Sequence, residues 1–447
     1  MVIRSDTNRG NLQPLKDLLG EAEVRTWEEL TPDQQTTLAS AIAPTSRISG
    51  IAYPKTQTEL AAVVEYAQQH RWPMLPCGAG SKLHWGGLVT ASEQILVIST
   101  QHLNRLIEHA VGDLTVTVEA GMGFAELQKT LAGAGQFLAI DPAYPNQATI
   151  GGVIATGDTG SLRQRYNSVR DMVLGLNFVR ADGQLVKAGG RVVKNVAGYD
   201  LMKLLTGSYG TLGLITQITL RVYPLPETSQ TLGLSGTATA IAETTSILLS
   251  STLTPTAIDL VNQDMMADLG LGDQPGVIVR FQGISPSVQE QAKRLREIGQ
   301  KLSLTSHSLT PELEQDLWQR LPEAMAPGSN PKAITCKIGV RPTTAVALLS
   351  QIDSLVDTRW SGQIHGASGL GKLMFDSDSL SPTTLEQIRI LCQDNGGFLS
   401  ILQAPVEWKQ QLDVWGYTGN ALALMGTLKR QFDPNVLLSP QRFIGGI

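Results

Sequence analysis

The sequence predicts an α+β protein in two main parts, a glycine-rich ligand-binding unit followed by an antiparallel sheet carrying helices. Three observations carry that reading. Glycine-rich loops fall in order at residues 76–85, 141–160 and 198–216. From Ile51 onward, short strand patterns alternate with helical ones around a small sheet. From residue 228 to about 412 a second rhythm of strands and helices repeats, for which an antiparallel sheet with helices on one face is the natural solution. A chain of 447 residues has room for two or three domains.

Composition excludes several classes. Charged residues make up 17%, hydrophobic ones 42%, and the net charge is −5, which fits neither a nucleic-acid surface nor a disordered chain. The first ten residues hold no apolar core of a leader. No run of eighteen uncharged apolar residues occurs, so neither an export signal nor a membrane span is expected. The three cysteines, Cys77, Cys336 and Cys392, lie far apart with no Cys-x-x-Cys pair, so they suit neither a four-cysteine iron–sulfur cluster nor a disulfide framework. A reducing, cytoplasmic setting fits them.

Taken in order, residues 11–43 read as short helices, with Thr31-Pro32-Asp33 opening one over 34–42. Residues 1–48 are read as a helical extension. The unit at 49–226 begins with a helix over 60–70 and strands over 95–99 and 114–119. Residues 121–126 imitate a dinucleotide fingerprint, but Glu126 stands where the last glycine belongs. A hairpin is expected from 173–180 and 185–187 around Asp182-Gly183, a favoured turn. Strands follow at 191–195 and 214–222, and Pro224-Leu225-Pro226 closes the unit. Beyond it, strands are expected at 232, 257–261, 277–282, 334–340, 360–365, 372–375 and 398–402, with helices at 237–250, 286–301, 342–356 and 382–394. Residues 366–372 fall one short of a phosphate-binding P-loop, and Leu373 replaces its Ser or Thr.

In the first glycine-rich loop, Gly78 and Gly80 flank a small residue and Ser81 and Lys82 follow, so successive N–H groups can line an anion nest. Alone, the stretch reads more readily as a surface turn after a short strand. Three such loops in series are a sharper signal.

The loop at Gly78 to Lys82, the Thr149-Ile-Gly-Gly152 segment, the Arg165-Tyr-Asn-Ser-Val-Arg-Asp171 segment and Gly207-Ser-Tyr-Gly-Thr-Leu-Gly213 running into Ile215 together resemble an FAD-binding domain. It is the vanillyl-alcohol oxidase, or PCMH, type. Within that superfamily the chain is similar to the FAD-binding subunit of glycolate oxidase (glycolate dehydrogenase), the smaller of its two flavin-type chains. The likeness is strong over about residues 50–225 and weaker elsewhere. It implies a two-subdomain FAD-binding domain at 49–226, a cap over the substrate at 227–412, and a closing segment at 413–447 that returns to the flavin domain. It also implies a second flavin-type subunit and an iron–sulfur subunit as partners, in the cytoplasm or peripheral at a membrane through those partners.

For the cofactor, the resemblance implies Pro76, Cys77, Gly78, Ala79, Gly80, Ser81 and Lys82 at the pyrophosphate. Thr149, Ile150, Gly151, Gly152, Ala155 and Thr156, together with Pro142, would follow the ring system, and Gly210 and Ile215 the adenine or ribose. Covalent attachment in this superfamily often uses a histidine in the pyrophosphate loop, where this chain has Ser81 and Lys82. FAD is therefore expected to be non-covalent, His84 being the residue that could overturn this.

Flavin carries the redox chemistry, while a 2-hydroxy acid needs a cation for its carboxylate and a base for its hydroxyl proton. The candidates are Arg280 and Lys337, each a charge within an apolar strand run, and His365 beside a glycine-rich turn. Each has a plainer reading: alternate strand residues face solvent, and a lone histidine is often structural. Arg165 and Arg442 read as structural or flavin-facing. The six histidines, at 70, 84, 102, 109, 307 and 365, show no ligand spacing, so no metal site is expected. The function that follows is oxidation of glycolate or D-lactate, with electrons passed to an iron–sulfur partner. A non-catalytic flavin-carrying subunit and a stand-alone sugar-alcohol or lactone oxidase remain the alternatives.

Overall fold

The computed structural model describes residues 11–191, 198–328 and 330–447. The leader reading at residues 1–10, and all but Arg191 of the strand expected at 191–195, lie outside them. Among the described residues no helix is long and apolar enough to cross a membrane.

The first sheet has strands β1 (Val24–Thr26), β2 (Arg47–Ala52), β3 (Met74–Cys77) and β4 (Gln94–Ser99), in the order β1-β2-β4-β3. Strand β4 runs parallel to both β2 and β3. Ile95, Leu96, Val97 and Ile98 are all fully buried, as a parallel strand covered on both faces requires. The helix Gln57–Gln69 covers this sheet. Thr56 caps it by accepting from the Glu59 N–H at 3.1 Å, and Leu60, Val63, Val64 and Ala67 bury one stripe at helical spacing. The segment 11–43 is less helical than its sequence suggests. Helices Gln13–Leu19 and Pro32–Ala39 flank β1, whose three residues pair antiparallel with β2. So short a strand carries no periodic signal of its own.

The second sheet is antiparallel, built from β5 (Leu106–Ala110), β6 (Thr115–Glu119), β8 (Val173–Val179), β9 (Leu185–Gly189) and β10 (Leu214–Arg221), in the order β5-β6-β10-β8-β9. A ribbon of β7 (Gln136–Phe137) and β11 (Tyr223–Pro224) sits beside it. The β8–β9 hairpin turns at Asp182-Gly183, with Gly183 at φ 81°. That is the left-handed conformation glycine adopts without cost.

The third sheet has eight antiparallel strands: β12 (Thr228–Ser235), β13 (Ala257–Val261), β14 (Gly276–Gly283), β15 (Thr305–Ser308), β16 (Ala333–Gly339), β17 (Ser361–His365), β18 (Leu370–Asp376) and β19 (Phe398–Gln403). Their order is β15-β12-β14-β13-β17-β18-β16-β19. One face supplies Leu232, Ile258, Val279, Ile338, Ile364, Leu373 and Ile401 to a core under the helices Ala238–Ser250, Ser285–Lys301, Ala345–Asp353 and Pro382–Asp394. The expectation of helices on one face alone needs correction. Helices Gln263–Asp268 and Pro311–Ala324 cover part of the opposite face, packing Met265, Met266, Leu317 and Leu321 against Val261 and Ile278. The helix Pro311–Ala324 was not read from the sequence.

Strand alternation makes that opposite face polar. Asp259, Arg280, Lys337, Gln363, His365, Lys372 and Ser400 each sit one residue from an inward apolar neighbour. Such a face normally meets water. Here the glycine-rich unit covers the part of it around Gln363 and Lys372: Gln363 Nε2 donates to Ser161 Oγ at 3.1 Å, and Lys372 Nζ to Asp158 Oδ1 at 3.1 Å. Residues 366–369 form the β17–β18 turn, with Gly369 at φ 66°, so the P-loop resemblance has no helix behind it. After the helix Leu422–Phe432 the chain runs beside β3: Met74 N donates to Leu437 O at 2.7 Å and Ser439 N to Met74 O at 2.8 Å.

Candidate active site

A cleft runs between the loop after β3, the helix Ile150–Thr156 and the turn entering β10. It is lined by Pro76, Cys77, Gly78, Ala79, Gly80, Ser81, Lys82, Thr149, Gly151, Gly152, Ala155, Thr156, Gly210 and Ile215. Backbone dominates this surface because side chains are excluded from it. A Cβ on Gly78 would stand 2.2 Å from Thr149 Oγ1, and Thr149 Oγ1 also caps the helix by accepting from Gly152 N at 3.3 Å. Gly80 (φ 84°) and Gly210 (φ 75°) both need the left-handed region. Tyr209 shares it at φ 53°, a conformation costly for a bulky residue, and its N–H is held by Ala155 O at 2.8 Å.

Two expected residues do not reach this cleft. Ile150 packs in the core of the second sheet, and Pro142 is buried and does not line the cleft. Leu83, Thr100 and Leu214, which were not singled out, also line it, as do Tyr209 and Gly213 of the 207–213 segment and Arg442, read from the sequence as structural or flavin-facing. Arg442 comes from 360 residues beyond Lys82 in the chain, a distance no local pattern bridges. Its side chain is buried, and Nη2 donates to Leu83 O (2.7 Å) and Trp85 O (3.2 Å). Nε has no partner among the described residues. Burial pulls its guanidinium down to about 10.

Lys82 lines the cleft but turns its ammonium to Asp158, at 3.0 Å. Asp158 also takes Lys372 from β18, and Ala143 N–H at 2.7 Å. Burial would raise the Asp158 carboxyl. Lys372, Lys82 and that N–H outweigh burial and hold it well below the usual range. The neighbouring cavity is lined by Asp158, Thr156, Tyr209, Arg163, Lys337, His365 and Lys372, so it shares Thr156 and Tyr209 with the cleft. His365 Nδ1 lies 2.6 Å from Asp259 Oδ1, its direct cross-strand partner, and both side chains are buried. Lys337 is pulled down by burial, with Lys372 and Arg163 adding to the shift against Asp158. A wider groove lined by Arg163, Arg170, Lys337, Ser400 and Trp415 continues from this cavity.

The structure thus brings His365 and Lys337 together and leaves Arg280 out. Arg280 sits on β14 and Lys337 on β16, four strand positions apart, which at roughly 4.8 Å per strand is about 19 Å. Its Nε meets Glu314 Oε1 at 3.2 Å and Ser229 Oγ at 2.9 Å, and its guanidinium lies over Trp318 at 5.0 Å. The helix Pro311–Ala324, which supplies Glu314 and Trp318, explains both the charge in a strand and its distance from the site.

His84 lies outside the cleft as well. It lines an adjoining pocket with Tyr144, Gln403 and Lys409, which shares Ala79, Gly80 and Ser81 with the cleft, and its Nε2 lies 3.4 Å from the Tyr144 hydroxyl. Burial, with Lys409 and Arg442 nearby, pushes its imidazole down to about 3.

Comparison with known proteins follows the same outline. The FAD binding domain family matches residues 48–189. Glycolate oxidase subunit GlcD of Bacillus subtilis is 30% identical over 257 residues, 56% of this chain and 54% of that protein. Glycolate oxidase subunit GlcE of Escherichia coli is 35% identical over 170 residues, 38% of this chain and 47% of that protein. The chain spans about half the length of the curated relatives it matches. The solved structure of p-cresol methylhydroxylase with substrate bound superposes with a TM-score of 0.76 at 14% identity, covering 99% of this chain and 97% of that one. Residues 48–189 thus match the FAD binding domain family, in a chain whose fold over nearly its whole length is shared with p-cresol methylhydroxylase.

Proposed function

We propose that this chain is an FAD-dependent 2-hydroxy-acid dehydrogenase, with residues 49–226 holding the cofactor, 227–412 capping the substrate and 413–447 closing the cofactor site. The observation that carries the proposal is the convergence of His365 and Lys337 on a cavity that shares Thr156 and Tyr209 with the backbone-lined cleft. The cleft suits FAD: glycine positions where a Cβ would collide, and the orphaned Nε of buried Arg442. Bound FAD would supply the hydride acceptor.

The chain's own residues would do the rest. Lys337 holds the substrate carboxylate, and Lys372, compensated by Asp158, stands beside it. Asp259 accepts the His365 Nδ1–H, which leaves Nε2 as the acceptor for the substrate hydroxyl proton and stabilises the imidazolium that forms. The buried contacts of Asp158 and Ser161 with the cap sheet exclude water from the reacting carbon. We propose non-covalent FAD, since His84 is not among the residues lining the cleft and turns instead to the Tyr144 hydroxyl in the adjoining pocket. Relatives named as glycolate oxidase subunits motivate glycolate or D-lactate as first substrates, and a second flavin-type subunit and an iron–sulfur subunit as partners.

The test is anaerobic. The full chain, reconstituted with FAD, is precipitated with acid to ask whether flavin is released. Fresh protein is then titrated with glycolate and each lactate enantiomer. Released flavin and bleaching by a hydroxy acid are expected. Flavin that no hydroxy acid bleaches, with or without added partner subunits, would sink the proposal.

A further inference from the structure

Lys337 and Lys372 are direct cross-strand partners on one face of the cap sheet. Like charges placed opposite each other destabilise a sheet, so this pair needs an anion. Asp158 serves Lys372 at 3.1 Å and Lys82 at 3.0 Å, which exhausts the carboxylate between them. Lys337 keeps no ion pair or side-chain hydrogen bond with any described residue, and neither does the guanidinium of Arg163. Arg163 approaches from the opposite wall. Its segment is anchored by Asp141, which accepts from Gly160 N (3.0 Å) and Leu162 N (3.1 Å). Asp171, whose charge bears on Arg163, is committed to Ser168, whose N–H and hydroxyl it accepts at 3.0 and 2.6 Å. Among the described residues, Asp158 is the one carboxylate lining the cavity, and none lines the groove beyond it with Arg163 and Arg170. Half-buried cations without counter-ions are costly unless a ligand supplies the charge.

We propose that the substrate is a 2-hydroxy acid with a second carboxylate, a 2-hydroxydicarboxylate, whose α-carboxylate meets Lys337 and whose distal carboxylate meets Arg163. The assignment rests on the 2-hydroxy-acid reading and narrows it. A monocarboxylate bound at Lys337 beside His365 leaves Arg163 uncompensated on the facing wall. A dianion spanning the two walls compensates both cations, and the groove lined by Arg163 and Arg170 attracts it inward.

The full chain reconstituted with FAD is titrated anaerobically with D-malate and D-2-hydroxyglutarate against glycolate and D-lactate. The dicarboxylates are expected to bleach flavin with kcat/KM about tenfold or more above the monocarboxylates, and Arg163→Gln to shrink that ratio about tenfold, with Arg163→Lys restoring part of it. Arg163 makes no side-chain bond with any of the described residues, so its variants should retain flavin. Monocarboxylates equal to or better than dicarboxylates, or a ratio unmoved by Arg163→Gln, would overturn the assignment. Glutarate and butyrate, which have no oxidisable hydroxyl, separate this proposal from the redox reading. A saturable shift of the flavin spectrum with glutarate, absent with butyrate and weakened by Arg163→Gln, supports the dianion site even where no hydroxy acid bleaches. Identical responses to the two count against it.

Discussion

The backbone-lined cleft and the polar face of the eight-stranded sheet meet at Thr156 and Tyr209, yet they are built on opposite principles. The cleft is made of backbone: glycines at 78, 80, 151, 152 and 210 remove side chains so that N–H groups and a close-lying ligand can meet. The cap face is made of side chains, Lys337, Gln363, His365 and Lys372, projected from four residues' worth of three neighbouring strands and buried by another part of the chain. A backbone site is written in consecutive residues and tolerates little change. A side-chain site is scattered over the sequence and is costly to keep, because its charges are withdrawn from water.

The largest expected effect breaks the backbone half. Gly78→Ala places a methyl 2.2 Å from Thr149 Oγ1, so the loop must shift. The variant should purify without yellow colour while keeping its far-ultraviolet circular dichroism, with flavin affinity down about a hundredfold or more. Retained flavin at wild-type occupancy would show that the loop does not grip the cofactor through close approach.

Next comes the side-chain half. Lys337→Met should lower kcat/KM for the hydroxy acid about a hundredfold, the scale of a lost charge-assisted contact. The same variant removes an unpaired charge, so its Tm should rise by about 2 °C. Opposite signs in activity and stability are what distinguish a functional cation from a structural one.

Asp158→Asn tests the seam between the halves. Removing one partner of a buried ion pair costs about 3–5 kcal/mol, here on a carboxylate shared by Lys82 and Lys372. The folded Asp158 carboxyl lies below its unfolded value of about 3.9. Its contribution is therefore present above that value and is lost as pH falls through it toward the folded value. The Tm gap between wild type and Asp158→Asn should be full at pH 6 and narrow below pH 4, by about the span of that titration. A gap independent of pH would mean that the carboxylate's charge is not what holds the two parts together.

The smallest effect on turnover belongs to Arg280. With Glu314, Ser229 and Trp318 as its partners, Arg280→Met should lower Tm yet change bleaching rates less than about threefold. A hundredfold loss would return Arg280 to the active site.

What the sequence alone determined is what local physics writes locally. The left-handed turn at Gly183, the capped stripe of Leu60, Val63, Val64 and Ala67, and the glycines of the cleft are all consecutive or periodic signals. The alternation of the cap strands is also legible, and with it the fact that Arg280, Lys337 and His365 share a face. Periodicity does not say what covers that face. Strand order and chain packing decided it: β14 lies under the chain's own helix Pro311–Ala324, which neutralises Arg280 with Glu314, whereas β16, β17 and β18 lie under Asp158, Ser161 and Arg163. Arg442, Tyr209 and the sharing of Asp158 between Lys82 and Lys372 belong to the same class. Each joins residues tens to hundreds of positions apart, and such contacts exist only once the sheets have packed and the intervening water has been expelled.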